Sequence, residues 1–280
     1  MARIKLDPFR NVSAAGTAVM TTERIFPNTL EYIVLVLGGS VAPTKAQLTR
    51  LYLKLGKKPI WDVTGSQLNS MNLYEGRPST ATVFVLPFAN FRARTIESQF
   101  IGAPDFGAIG VRDLTMEITV AGGTSPTIDA WAEVSPPKLL SPQYNRMFRA
   151  LLRTPIAPTG ALSRFPYDIN YGQAAGALLR RLHFFSALPT DLTIKRRGVD
   201  HFEEVTTAHN NAVLDELGHD PQASIYTYDA IEDDNESKAL PTIEATQAGV
   251  ALIPTQILVT TSGGGSLDVV ADVFTTLDAL

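Results

Sequence analysis

The chain has 280 residues, of which 45% are hydrophobic and 19% are charged, and its net charge is −4. So low a charged fraction argues against a disordered chain, and the negative net charge disfavours a protein that coats nucleic acid. The sequence contains no cysteine, which excludes disulfide frameworks, cysteine zinc sites and thiol nucleophiles. The longest apolar run, YIVLVL at 32–37, is too short for a membrane-spanning helix, which needs about 20 residues.

Short segments predict β-strands, because they alternate apolar and polar residues or are rich in β-branched and aromatic side chains. Each of them is bounded by glycine or proline, or by a short polar turn. They cover 29–37, 47–55, 80–86, 111–120 and 127–134. The segment 174–187 fits a helix or a strand, and its approach to Pro189 favours a strand. The sequence lacks strand–helix–strand units with a glycine-rich phosphate turn, so a Rossmann-type fold is not indicated.

Two segments predict helices between these strands. The first follows Thr64, which has capping-box spacing with Gln67, and it ends before Gly76. The second is predicted to begin near Phe202, with an apolar pattern that ends at Gly218.

The two halves of the chain repeat one order of features: strand, basic turn, aromatic residue, helix, glycine, proline and strand. The matching residues lie 141 positions apart in the pairs Leu51 and Leu192, Lys54 and Lys195, Trp61 and Phe202, and Phe84 and Ile225. A constant shift of about half the chain predicts a tandem duplication.

The proline-rich stretch at 135–142 predicts a semi-rigid connector between the copies, because proline stiffens the chain and removes amide donors. The predicted domains are therefore 1–137 and 138–280. Strands with one helix in about 140 residues suit a jelly-roll sandwich of about eight strands. The predicted fold class is all-β: two tandem antiparallel eight-stranded jelly rolls, with one short helix inserted in each.

The pattern of the first half resembles that of a known family. The matching parts, in order, are VAPTKAQLTRLYLKLGKKPIWD (41–62), a helix at 65–74, ATVFVLPF (81–88) and GAIGVRDLTMEITV (107–120). In this order and spacing the chain resembles the corticovirus-type double jelly-roll major capsid protein of icosahedral, internal-membrane-containing phages. In the second half the resemblance rests on LTIKRRG (192–198) and the helix after it, and the loops at 121–126 and 229–241 depart from it.

The resemblance implies a structural protein of the virion capsid that is assembled in the host cytoplasm. It implies a homotrimer with a pseudo-hexagonal outline that tiles the shell of a tail-less phage. The implied partners are neighbouring capsid trimers, penton and minor capsid or membrane proteins, and the viral inner membrane. Arg3, Lys5 and Arg10 would lie at the base near anionic head groups, although a basic N-terminal end can also serve solubility alone.

The sequence offers no strong catalytic or cofactor motif, so the chain is predicted not to be an enzyme. The acidic stretch at 229–236 supplies three calcium candidates, Asp233, Asp234 and Glu236, because carboxylate oxygens are the ligands that Ca²⁺ prefers. The spacing is not that of an EF-hand, and a solvated, self-repelling acidic loop is the simpler interpretation. No confident metal site follows.

An alternative function is a carbohydrate-active or carbohydrate-binding β-sandwich. Asp129, Trp131 and Glu133 alternate along one strand and therefore share a face, as the two carboxylates and aromatic platform of a glycanase would. Aromatic and basic residues also interleave at 88–94, but so short a patch in an acidic chain indicates an interface or loop. We therefore expect no direct contact with nucleic acid.

Overall fold

The computed structural model describes residues 2–168, 176–246 and 249–280, and Cα packing divides the chain into two units, Met1–Leu152 and Arg153–Leu280. The first unit contains β1 (Ala2–Lys5), β2 (Ala15–Thr22), β3 (Thr29–Gly38), β4 (Leu48–Leu55), β5 (Lys58–Val63), α1 (Gly65–Tyr74), β6 (Val83–Pro87), α2 (Ile96–Phe100), α3 (Phe106–Ile109), β7 (Leu114–Ala121), β8 (Thr127–Ser135) and α4 (Pro142–Asn145). Strand β9 (Phe148–Ile156) begins in the first unit and ends in the second.

The second unit continues with β10 (Leu162–Tyr167), β11 (Ala177–Phe185), β12 (Pro189–Arg196), β13 (Val199–Thr206), α5 (Thr207–Glu216), β14 (Ile225–Asp229), β15 (Leu240–Pro241), β16 (Ile243–Thr246), β17 (Gly249–Leu252), β18 (Thr255–Thr261) and β19 (Leu267–Thr275). Short 3-10 turns at 45–47, 236–238 and 277–279 complete the described elements. Among these residues, no helix has the length and apolar composition needed to cross a bilayer.

The first unit is a jelly roll of eight strands in two sheets. One sheet has the order β1-β8-β3-β6, and β2, β7, β4 and β5 lie side by side in the other. The pairs within these sheets are antiparallel. The alternating pattern of β7 places Leu114, Met116, Ile118 and Val120 in the core, as period-two strands with one buried face require.

The second unit repeats this topology. Its sheets run β10-β18-β12-β13 and β9-β19-β11-β14, with the short strands β15, β16 and β17 inserted between β14 and β18. The predicted strand at 174–187 is observed as β11. Two tandem eight-stranded jelly rolls, each with a helix inserted between its fifth and sixth strands, are thereby confirmed. Helices α2, α3 and α4 are additions that no pattern in the sequence indicated.

The shift of 141 residues holds through the first hairpin of each repeat. Trp61 pairs with Leu53 across β4 and β5, and Phe202 pairs with Ile194 across β12 and β13. From the inserted helix onward the shift is 142, because α5 and β14 begin 142 residues after α1 and β6. The core residue that corresponds to Phe84 is therefore Tyr226 rather than the predicted Ile225, and both are buried.

The second helix begins later than the sequence predicts. Phe202 lies in β13, and α5 starts at Thr207 with the Thr206 hydroxyl accepting a hydrogen bond from the amide of His209. The prediction was wrong because pairing of β13 with β12 satisfies the backbone of residues 199–206, which overrides the capping pattern there. For α1 the prediction is confirmed, including the capping box of Thr64 and Gln67.

The division in packing lies about 15 residues after the boundary predicted from the prolines. Residues that follow the proline-rich stretch contact the first unit. The Arg149 guanidinium donates to Glu75 Oε1 at 2.8 Å and to the Pro87 carbonyl at 3.1 Å, and the Trp61 indole donates to the Arg149 carbonyl at 3.0 Å. These contacts attach residues 138–152 to the first jelly roll.

Gly65, the first residue of α1, occupies a site without room for a side chain. A methyl group there would overlap the carbonyl oxygen of Lys45 and lie 2.9 Å from the Leu48 side chain. The start of the inserted helix therefore packs directly on the backbone that leads into β4.

We expect Gly65→Ala to lower the free energy of unfolding by about 1–3 kcal/mol, the usual cost of overpacking, in chemical denaturation monitored by tryptophan fluorescence. Gly160→Ala is the matched control, because a methyl group at Gly160 meets no atom within 4 Å. That control should stay within about 0.5 kcal/mol of the unchanged protein. Equal effects of the two substitutions would contradict the close packing at Gly65.

Candidate functional site

The three calcium candidates lie in the loop that follows β14, and each of them has a basic partner. Asp233 Oδ2 is 3.0 Å from Lys238 Nζ, and Asp234 Oδ1 is 3.7 Å from an Arg181 amino group. Glu236 is buried and accepts two hydrogen bonds from the Arg180 guanidinium, at 2.9 and 2.8 Å. The loop is thus paired with cations, which differs from the solvated, self-repelling loop that the sequence suggested.

Arg180 is the centre of a buried ionic cluster. Besides Glu236 it binds Asp272 on β19 at 2.7 Å, and its guanidinium lies 4.6 Å from the centre of the Phe274 ring. Burial alone would lower the pKa of Arg180, but Asp272 and Glu236 outweigh burial and raise it above its ordinary value. Two carboxylates and an aromatic face keep this buried cation charged.

The adjacent Arg181 is held in the same way. Its Nε donates to Asp229 Oδ2 at 2.6 Å, and the other oxygen of Asp229 accepts from the amide of Ile231 at 2.9 Å. A ring nitrogen of His219 lies 2.7 Å from the Glu232 carbonyl. Arg180 and Arg181 therefore fasten the loop at 229–236 to β11.

Within the described residues, no three histidine, aspartate or glutamate side chains are grouped closely enough to hold a metal ion. Calcium at Asp233, Asp234 and Glu236 stays a prediction. The sequence did contain a signal for the ionic cluster. Two arginines interrupt the apolar strand ALLRRLHFF (177–185), and a buried arginine needs a carboxylate partner.

The predicted membrane-proximal residues lie on or beside the first strand. Strand β1 pairs with β8, and the Arg3 side chain bonds to Glu133 across this pair. Lys5 Nζ is 2.9 Å from Asp129 Oδ1. Arg10 is exposed, and its backbone exchanges two hydrogen bonds with Val19 at 2.9 and 3.0 Å. The N-terminal segment is therefore part of the first jelly roll.

The same contacts account for the carboxylate pair considered for a glycanase. Asp129, Trp131 and Glu133 do share one face of β8, as their spacing predicts. Lys5 Nζ lies 5.2 Å from the centre of the Trp131 ring, and Glu133 is only 4% exposed. Lys5 and Arg3 neutralise and cover these carboxylates, so the arrangement stabilises the sheet edge and leaves no open groove at this aromatic residue.

Lys138, in the proline-rich stretch, is a buried residue that the sequence analysis did not single out. Its ammonium group donates to the carbonyl oxygens of Ile101, Tyr144 and Met147 at 3.3, 3.3 and 3.0 Å. Its amide donates to Asp105 Oδ2 at 2.8 Å. Burial lowers the pKa of Lys138 to about 7, although Asp105 acts in the opposite direction. No local pattern predicts such a site, because its three acceptors come from two distant loops.

Several solved structures have the same fold. The major capsid protein P2 of bacteriophage PM2 superposes with a TM-score of 0.81 at 13% identity, over 100% of this chain and 99% of that protein. The STIV MCP gives 0.66 at 12%, over 98% and 96%, and PBCV-1 VP54 gives 0.60 at 10%, over 98% and 92%. At these identities the likeness shows the fold: the chain is a double jelly roll of the type found in viral capsid proteins.

Family models identify the chain more closely. The Viral coat protein P2 N-terminal domain matches residues 3–135, and the Viral coat protein P2 C-terminal domain matches residues 148–277. The chain belongs to the viral coat protein P2 family, which confirms the resemblance seen in the first half of the sequence. A search of curated proteins by sequence gives no match. The chain is accordingly a structural, non-enzymatic protein of the virion capsid.

Replacing Arg180 tests the buried ionic cluster. We expect Arg180→Met to lower the free energy of unfolding by about 3–5 kcal/mol, because Glu236 and Asp272 would stay buried without their cation. Arg50→Met is the matched control, since Arg50 forms a bidentate pair with Asp62 at the surface. The control should cost less than about 1 kcal/mol in the same denaturation experiment. Similar costs for both arginines would contradict a special role of the buried cluster.

The pKa of Lys138 predicts a pH dependence. In the unfolded chain this lysine has its ordinary pKa of 10.5, so above pH 7 the unfolded state binds more protons than the folded state. Stability should therefore rise with pH from about 7 to 9.5 through this group. We expect the difference in unfolding free energy between the unchanged protein and Lys138→Met to grow over this range. Parallel stability curves for the two proteins would show that Lys138 does not titrate as described.

Proposed function

We propose that the chain is the major capsid protein of an icosahedral, tail-less, membrane-containing bacteriophage, and that it assembles in the host cytoplasm as pseudo-hexagonal homotrimers. The supporting observation is the repeated strand order of the two rolls. Three chains contribute six similar rolls, and such a trimer can be surrounded by six neighbours. Penton proteins and minor capsid or membrane proteins would close the shell.

Exposed apolar side chains supply candidate contacts between chains. Among the described residues, Leu139 is 99% exposed, and Ile96, Val199 and Val250 are also largely exposed. Burying such side chains in an obligate interface of more than about 2,000 Å² would remove apolar surface from water. We propose that Leu139, next to the anchored Lys138, is a contact residue in the trimer.

The membrane would lie at the end of the first roll where β1 begins. The register places Ala2 beside Val134 and Thr29 beside Ser135, so the start of β1 lies at the end of the sheet where β8 ends and β3 begins. Each basic side chain near an anionic bilayer contributes about 1 kcal/mol. Because Arg3 and Lys5 are paired with Glu133 and Asp129, Arg10 is the stronger candidate for contact with head groups.

Size-exclusion chromatography with light scattering tests the trimer. We expect a stable species of about 90 kDa, three times the chain mass of 30.3 kDa. Leu139→Glu should shift the protein towards the monomer, because it would bury a carboxylate in the proposed contact. The fold should be unaffected, since this side chain is exposed in the isolated chain.

Gln143→Glu, which adds the same charge at an exposed polar position nearby, is the control and should remain trimeric. A monomeric unchanged protein at assembly concentrations would overturn the trimer. A fully trimeric Leu139→Glu variant would overturn the role of Leu139 and leave the trimer standing.

A further inference from the structure

The second jelly roll contains a cleft of about 580 Å³ whose lining is entirely uncharged. It lies between the β11–β12 turn, the start of α5 and the residues that lead into β14. Its lining residues are Ser186, Ala187, Pro189, Thr190, Thr206, Thr207, Ala208, Asn211, Pro221, Gln222, Ala223, Ser224, Ile225 and Tyr226. Half of these side chains carry an aliphatic hydroxyl or a carboxamide, in a volume typical of small-molecule sites.

The duplication identifies what stands at this place in the first roll. Lys45 lies three residues before β4, and Asn69 is the fifth residue of α1. Lys45 Nζ donates to Asn69 Oδ1 at 2.9 Å and to the Ser79 hydroxyl at 2.7 Å, and it lies 5.1 Å from the centre of the Phe84 ring. The ammonium group of Lys45 therefore satisfies the asparagine of the inserted helix.

The second roll keeps the asparagine but not the lysine. Ser186, three residues before β12, stands where Lys45 does, and Asn211 is the fifth residue of α5. Pro221 replaces Ser79, since each lies four residues before the following strand. Asn211 Oδ1 is buried and has no hydrogen-bond partner among the described residues. A buried acceptor in this state is destabilising, so the cleft presents an acceptor that calls for a donor.

We propose that this cleft binds a neutral sugar, with one of its hydroxyl groups donating to Asn211 Oδ1. A donor is required by the asparagine, and a neutral one by the lining. Without a carboxylate in the cleft, and with Pro221 in place of the Ser79 hydroxyl, the desolvation of an ammonium group would not be compensated. Gln222 and Ser224 can take further hydroxyl groups, while Ile225 and Pro221 offer an apolar surface for the C–H face of a pyranose ring.

This binding is independent of the capsid assembly proposed above, because every lining residue belongs to one roll. The test uses the full chain and three pyranoses that differ mainly in charge: glucose, glucosamine below neutral pH and glucuronic acid. Saturation-transfer NMR titrations should show saturable millimolar binding of glucose, and at least fivefold weaker binding of both charged sugars. Absence of saturable binding for all three sugars would overturn the proposal, as would preference for glucosamine, which would indicate a cation site.

Two variants locate the binding. Asn211→Ala removes the acceptor with a good helix former and should weaken glucose binding about five- to tenfold. Asn69→Ala, the same change in the first roll, is the matched control and should bind glucose as the unchanged protein does. Ser186→Lys recreates the lysine of the first roll and should abolish binding. Unchanged affinity in Asn211→Ala would overturn the assignment, and this variant decides the matter if Ser186→Lys does not fold.

Discussion

Two consecutive arginines buried in the central strand of a sheet require that carboxylates be delivered to them. Arg180 and Arg181 lie in β11, between β14 and β19, and their partners come from β14, β19 and the loop after β14. The electrostatic requirement therefore specifies the course of a long connection that hydrophobic patterning alone leaves open. The loop at 229–236 is positioned by this requirement, and the strands on either side of β11 are tied together by the same charges.

The first roll meets a similar requirement with different residues. There the buried guanidinium of Arg149 is held by Glu75 at the end of α1 and by the carbonyl of Pro87. The two rolls thus share strand order and helix position, while their buried polar contacts differ. Apolar alternation specifies the common frame, and the polar contacts have diverged within it, which is why the repeat is visible as spacing and hardly as identity.

The features that could be predicted from sequence are those that local patterns encode. Period-two alternation identified β4 and β7, the capping box identified α1, and the repeat located β12 and β13. Features that depend on partners far along the chain could not be predicted. The start of α5 was hidden by pairing of β13 with β12, and the site of Lys138 depends on carbonyls of two separate loops. Glu236 belongs to the same class, because its burial is explained only by Arg180.

The pairing of β1 with β8 has a consequence for the order of events during synthesis. Arg3 and Glu133 are 130 residues apart, so the first strand to leave the ribosome must wait for the last strand of its roll. Until then the hydrogen-bonding edge of β1 has no partner within its own chain, and contacts of such long sequence separation form slowly. Where many copies are made at once, intramolecular capture of β1 by β8 competes with capture by a neighbouring chain. The salt bridges of Arg3 and Lys5 favour the intramolecular partner, and in this sense they guard the fidelity of folding before any shell exists.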